Sequence, residues 1–137
     1  MSTYNLIFRG YWRDVNRTSI PSISGIYLVY KCKYNQIEDT VSLLELLYIG
    51  KSLDVNQRLN SHDKRDLFLE KCSESETLCY SVAEVNECDL ELVENALIFA
   101  EKPELNDNKK DSFLFDSSEF HLEGKCALMK HKNFSIA

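Results

Sequence analysis

"GIYLVYKC" (residues 25–32) and "LELLYIG" (residues 44–50) are the two stretches on which the fold of this chain turns. Successive side chains of an extended strand point to opposite faces. The first run therefore sets Ile26, Leu28 and Tyr30 on one face and Tyr27, Val29 and Lys31 on the other. Apolar groups stand on both faces, which predicts a sheet covered at least in part on both sides. The second run is leucine-rich enough to resemble helix, yet reads as a strand that Gly50 ends. A tyrosine within each run is, taken alone, an ordinary packing residue of a half-buried strand.

Outward from these runs, "NLIFRGYW" (5–12) reads as a short strand that stops before the turn-rich "RDVNRTSIPSIS". After Gly50, Ser52 is the expected N-cap of a helix carrying Leu53, Asn56 and Leu59 at helical spacing, with Arg58 and His62 four apart on one face. "DLFLEKC" continues as helix and "ETLCYSVAEV" follows as a strand. Asp89 then opens an amphipathic helix marked by Leu90, Val93, Leu97 and Ala100, which Pro103 terminates. The tail, 111–137, offers Phe113, Phe115, Phe120 and the strand candidate "KCALMK". The order predicts a small α/β (α+β) domain: a mainly antiparallel central sheet flanked by helices, with extra strands at both ends.

At 137 residues the chain is expected to form a single domain, 1–137, and its 44% hydrophobic and 28% charged residues argue against disorder. No apolar run approaches the roughly 20 residues that span a bilayer, and "MSTYNLIFRG" lacks the order of a signal peptide, so no membrane contact and a cytoplasmic location are expected. Five cysteines without a C-x-x-C pair predict reduced, mostly buried thiols. The formal charge of −6 disfavours a polyanionic partner, but it is unevenly spread. Residues 1–33 carry Arg9, Arg13, Arg17, Lys31 and Lys33 against Asp14 alone. Residues 84–104 carry Glu84, Glu87, Asp89, Glu91, Glu94, Glu101 and Glu104 against Lys102.

"GIY" at 25–27, "YIG" at 48–50 with "KS" directly after it, Arg58, His62, Glu94 within "ENALI" and Asn106 at the end of "KPELN" occur in one order over residues 22–108. Either tripeptide alone is a weak signal. Together the constellation resembles the GIY-YIG nuclease family, with 1–21 and 109–137 as terminal elaborations outside the match. The resemblance implies a metal-dependent endonuclease that hydrolyses DNA phosphodiester bonds, with Mg²⁺ or Mn²⁺ as cofactor; RNA stays open as a substrate. It makes Tyr27 the group that takes a proton from water. That role needs cations beside a phenol that ordinarily titrates near pH 10, and Lys51, Arg58 and a metal are the candidates. Tyr48 and His62 complete the proton-handling shell, His62 orienting or deprotonating the tyrosine. Glu94 becomes the single metal ligand, Arg58 and Lys51 hold phosphate, and Gly25, Gly50 and Asn106 form the walls of the site.

The residues carry part of this reading themselves. Glu94 falls beside Leu90, Leu97 and Ile98 on the edge of the apolar stripe, where an ionised carboxylate needs a partner. Glu87, Glu91 and Glu101 read as solvated. The guanidinium of Arg58 suits adjacent phosphate oxygens, although a surface ion pair with Asp54 would account for it equally. His62, His121 and His131 lack the spacing of a zinc site, and no phosphate-binding G-x-x-x-x-G-K or hydrolase G-x-S-x-G occurs. The rival expectation is a non-catalytic nucleic-acid or protein interaction module that keeps the fold. Target choice would rest on the basic front, the 34–44 insertion and the aromatic tail. One active site cuts one strand, so double-strand cleavage would call for a homodimer or two visits.

Overall fold

Each apolar run of the first half becomes a strand of one six-stranded sheet in the computed structural model, which describes all 137 residues. β1 (Ser2–Arg13) leads through a 3-10 turn (Asp14–Ser19) to the hairpin of β2 (Gly25–Asn35) and β3 (Thr40–Ser52). Two short helices, α1 (Val55–Asn60) and α2 (Arg65–Glu70), precede β4 (Thr77–Glu84), and α3 (Leu90–Glu101) follows it. The tail adds β5 (Ser118–Gly124) and β6 (Asn133–Ile136). The strand order is β3-β2-β4-β1-β5-β6, and every neighbouring pair is antiparallel except β1 with β5. The architecture is α+β around a mixed sheet.

The alternation of β2 sorts the core. Ile26, Leu28 and Tyr30 pack with Val93, Ala96 and Leu97 of α3, while Tyr27 and Val29 pack with Val55, Leu59 and Phe68 of α1 and α2. The two helical layers thus cover opposite faces of the sheet. The outer edge of β3 is closed by the segment after α3: the Leu105 amide donates to the Leu47 carbonyl at 3.1 Å, and the Asn106 side chain pairs with both the amide and the carbonyl of Ile49. At Leu47 and Ile49 the edge thus has no free ladder groups to recruit another strand.

Several local expectations are corrected. The N-cap of α1 is Asp54, whose Oδ1 accepts from the Gln57 amide at 3.1 Å; Ser52 still ends β3, and Leu53 is exposed outside the helix. α1 stops at Asn60, so His62 stands in the following turn rather than on a helix face shared with Arg58. "KCALMK" is a turn, because Cys126 and Met129 point inward from irregular backbone while the strands form on either side of it. Glu101 is buried, not solvated: its carboxylate accepts from the amides of Lys130 and His131 at 2.8 and 2.9 Å and clips the tail to α3. The cysteines are not all reduced, since Cys32 of β2 and Cys79 of β4 face each other across adjacent strands as a disulfide with Cα atoms 6.2 Å apart. Cys126 is a buried thiol, whereas Cys88 is exposed. No helix is long and apolar enough to cross a membrane.

The 3-10 turn after β1 anchors the front of the chain. Asp14, itself buried, accepts from Tyr80 Oη at 2.5 Å, from Arg17 and from Arg65. Arg17 and Arg65 are thereby committed to a structural ion cluster, and the Arg13 guanidinium stacks 3.6 Å above the Tyr34 ring. Of the three arginines at the basic front, only Arg9 projects freely. Asn56 and Asn60 reach from α1 to the carbonyls of Thr18, Ile20 and Arg17, which fixes that helix against the same segment.

Candidate active site

Tyr27 stands near the start of β2, paired in register with Gly50 of β3. The absence of a side chain at Gly50 makes room for it. A Cβ there would lie 2.7 Å from Tyr27 Cε1 and nearer still to Cζ and Oη, so the hydroxyl end of the ring occupies the space a larger residue would need. Gly25 has a similar role against β4, where a Cβ would collide with the Ala83 carbonyl. The two glycines of the tripeptides therefore set how closely β2, β3 and β4 approach around one tyrosine.

The Tyr27 hydroxyl meets His62 Nε2 at 2.8 Å, and the Tyr48 ring closes the other side, 6.3 Å from Tyr27 and 5.5 Å from His62 between centroids. Phe68 of α2 packs on both Tyr48 and His62. Burial pushes the Tyr27 phenol well above the ordinary tyrosine range, Tyr48 adds to that, and the neighbouring Arg58 guanidinium opposes it without prevailing. Burial likewise raises Tyr48, reinforced by the charge of Glu94. Arg58 acts in the direction that favours phenolate, but in the free protein desolvation outweighs it, and Tyr27 rests as a neutral phenol.

His62 is held in one tautomer. Burial, with the Arg58 charge adding to it, lowers its imidazole to about 4, so the ring is neutral near pH 7. Its Nδ1 accepts from the Lys64 amide at 3.0 Å, while Asp63 Oδ1 stands farther off at 3.6 Å. A nitrogen that accepts carries no proton, and a neutral imidazole has one, so the proton is on Nε2 and is donated to Tyr27 Oη. In this state His62 orients Tyr27 and has no free lone pair with which to deprotonate it.

The charged residues arrive from different elements and are all paired. Arg58 of α1 donates to Asp63 at 2.8 Å, not to Asp54, which is occupied as the helix cap. Lys51 at the end of β3 lies 3.3 Å from Glu91, and Lys64 pairs with Asp107 at 2.7 Å. Glu94 of α3 is 8% exposed and close enough to Tyr27 and Tyr48 to act on both phenols. Its Oε1 receives Lys109 Nζ at 2.6 Å, and the same ammonium lies 2.5 Å from Glu91 Oε1. The fold brings Tyr27, Tyr48, Arg58, His62 and Glu94 together, with Lys51 one ion pair away. Asn106 binds Ile49 of β3.

Lys109, Asp63 and Asp107 belong to this neighbourhood and were missed in the sequence. Lys109 lies 15 residues beyond Glu94 in a loop, and no periodicity links the two. No group of three or more His, Cys, Asp or Glu side chains forms a protein-only cage for a metal. One carboxylate completed by phosphate and water oxygens is nonetheless an arrangement that Mg²⁺ commonly accepts, and Glu94 fits it on condition that Lys109 yields. Compared with protein-family models, curated proteins and solved structures, the chain matches none of them.

Proposed function

We propose that this chain is a GIY-YIG-type endonuclease that hydrolyses DNA phosphodiester bonds with Mg²⁺ or Mn²⁺. The observation that carries the reading is the convergence of Tyr27, Tyr48, Arg58, His62 and Glu94 from β2, β3, α1, the α1–α2 turn and α3 on one point, with Tyr27 bonded to His62 at 2.8 Å. Unrelated packing residues have no reason to bring two phenols, an imidazole, a guanidinium and a buried carboxylate together.

In this reading Arg58 exchanges Asp63 for a phosphate oxygen, and Lys51 exchanges Glu91 for another, each trading one surface ion pair for a charge-assisted bond. For Tyr27 to act as acceptor its own phenolic proton must first pass to solvent water, since His62 holds no free lone pair; the His62 Nε2–H and the Arg58 charge then favour the phenolate against the burial that opposes it, and its oxygen receives the proton of the attacking water. A bound divalent ion at Glu94 would supply positive charge to the phosphate and the leaving oxygen. Tyr48 and Phe68 keep His62 in place and exclude bulk water from its ring.

A second reading, a non-catalytic binding module on the same fold, draws on the ion pairs themselves: Lys51, Arg58, Lys64 and Lys109 all hold carboxylates, and the net charge is −6. Duplex affinity from cation displacement would then be low. The two readings part on incubation with single-stranded, duplex and branched DNA, and with RNA, in Mg²⁺ and in Mn²⁺. Wild type is expected to cleave, and Tyr27→Phe and Glu94→Gln to lose at least about 100-fold in rate, the lower range for a lost proton-transfer group. Cleavage by Glu94→Gln at the wild-type rate would refute the nuclease assignment.

A further inference from the structure

Glu94 is already holding a cation, and the way that cation is delivered is built into the chain. Lys109 is 27% exposed at its side chain, and its backbone takes a left-handed turn with φ of 67°. The loop that presents it is tied down on α3. Asn95, a buried neighbour of Glu94, donates its side-chain amide to the carbonyls of Lys109 at 3.3 Å and Ser112 at 2.9 Å. Lys102, one residue past the end of α3, donates from its ammonium to the Lys110 carbonyl. An anchor from α3 and one from the residue that caps it thus hold residues 109–112 and aim a single ammonium at Glu94 and Glu91.

We infer that Lys109 is an intramolecular competitor for the divalent cation at Glu94, so that metal enters only as Lys109 leaves. The inference rests on the reading of Glu94 as the metal ligand and adds to it the regulation of that site. Lys109 holds Glu94 Oε1 at 2.6 Å, and a dication on either oxygen of the same carboxylate would stand within a few ångström of that ammonium, so repulsion between the two cations opposes their joint occupancy. The ion pair and the metal complex are then alternative states of Glu94. Apparent metal affinity is reduced by the fraction of time the carboxylate is open. Glu91 gives the displaced ammonium somewhere to remain, since it holds Lys109 through a separate carboxylate and also holds Lys51. The exchange therefore requires movement of one side chain and leaves the loop anchors in place.

The test is a Mn²⁺ titration of the full chain, followed by paramagnetic broadening of backbone NMR signals of α3 and residues 107–110. Wild type is compared with Lys109→Met, Lys109→Gln, Glu94→Gln and Lys109→Met/Glu94→Gln. Lys110→Met serves as the control for loss of one positive charge beside the site. If the pair leaves Glu94 open about a tenth of the time, removing the ammonium raises Mn²⁺ affinity about tenfold. Both Lys109 variants are expected to show that gain, Lys110→Met to show at most a small part of it, and the double variant to lose it. Glu94-dependent Mn²⁺ binding that is equally tight in wild type and both Lys109 variants overturns the competition and leaves Glu94 as a metal ligand. An equal gain in Lys110→Met also overturns it, in favour of a general charge effect. Absence of Glu94-dependent binding in every variant overturns the metal assignment and the competition with it.

Discussion

Acidification should expose the price of keeping His62 neutral. Its ring is sealed between Tyr27, Tyr48 and Phe68, with the Arg58 and Lys64 cations beside it and Asp63 the one nearby anion. Its imidazole is lowered to about 4 in the folded protein from the ordinary value of 6.5. The folded value lies below the unfolded one, so the unfolded chain binds the proton first. Stability is therefore at its full value above the unfolded range and falls as pH drops from there toward the folded value. Between about pH 7.5 and about pH 4.5 the loss from this one group is about 2.5 kcal/mol without screening, and about 1.5 kcal/mol once partial solvent access to the site is allowed for. Lowered carboxylates such as Asp14, Asp63 and Asp107 also lose stabilisation on acidification, so the wild-type curve by itself does not isolate the histidine. Urea unfolding of wild type and of His62→Gln across that range does. Glutamine keeps an N–H donor for Tyr27 but does not titrate, and the stability difference between the two proteins should shift by about 1.5 kcal/mol or more toward the variant at the acid end. A difference that stays constant with pH would refute the buried, single-tautomer histidine. A difference that shifts the opposite way would mean that His62 gains its proton on folding.

Gly50→Ala should cost about 1–3 kcal/mol, as overpacking does, because the new methyl group must displace the Tyr27 ring; thermal unfolding measures it, and an unchanged midpoint would mean the ring moves aside freely. Asn106→Ala removes both partners of Ile49 on the outer edge of β3, so a loss of about 2 kcal/mol or more is expected from urea unfolding, and a loss under about 0.5 kcal/mol would show that water replaces the amide. Thiol titration in denaturant should count three reactive cysteines before reduction and all five after it, because Cys32 and Cys79 are joined; five before reduction would rule out the bridge.

Sequence by itself determined the parts of this protein that depend on near neighbours. Alternation in "GIYLVYKC" was enough to send Tyr27 and Tyr30 to opposite faces, and the structure gives them different surroundings: Tyr27 meets His62, while Tyr30 donates to the Ala127 carbonyl at 2.7 Å. The apolar stripe of α3, with Glu94 on its edge, follows from a period of 3.6 residues in the same way. The need of that carboxylate for a partner was legible as well, since desolvation penalises an unpaired charge wherever the helix packs. Its partner was not legible. Lys109 comes from a loop whose path is set by Asn95 and Lys102, and a loop has no period from which to read direction. The same holds for the His62 tautomer, which depends on where the Lys64 amide points after α1 has ended, and for the Cys32–Cys79 bridge, which depends on β2 and β4 being neighbours. Local rules assign each side chain a face of its own element. Only the tertiary structure decides which faces meet, because that choice is made by contacts between residues far apart in the chain.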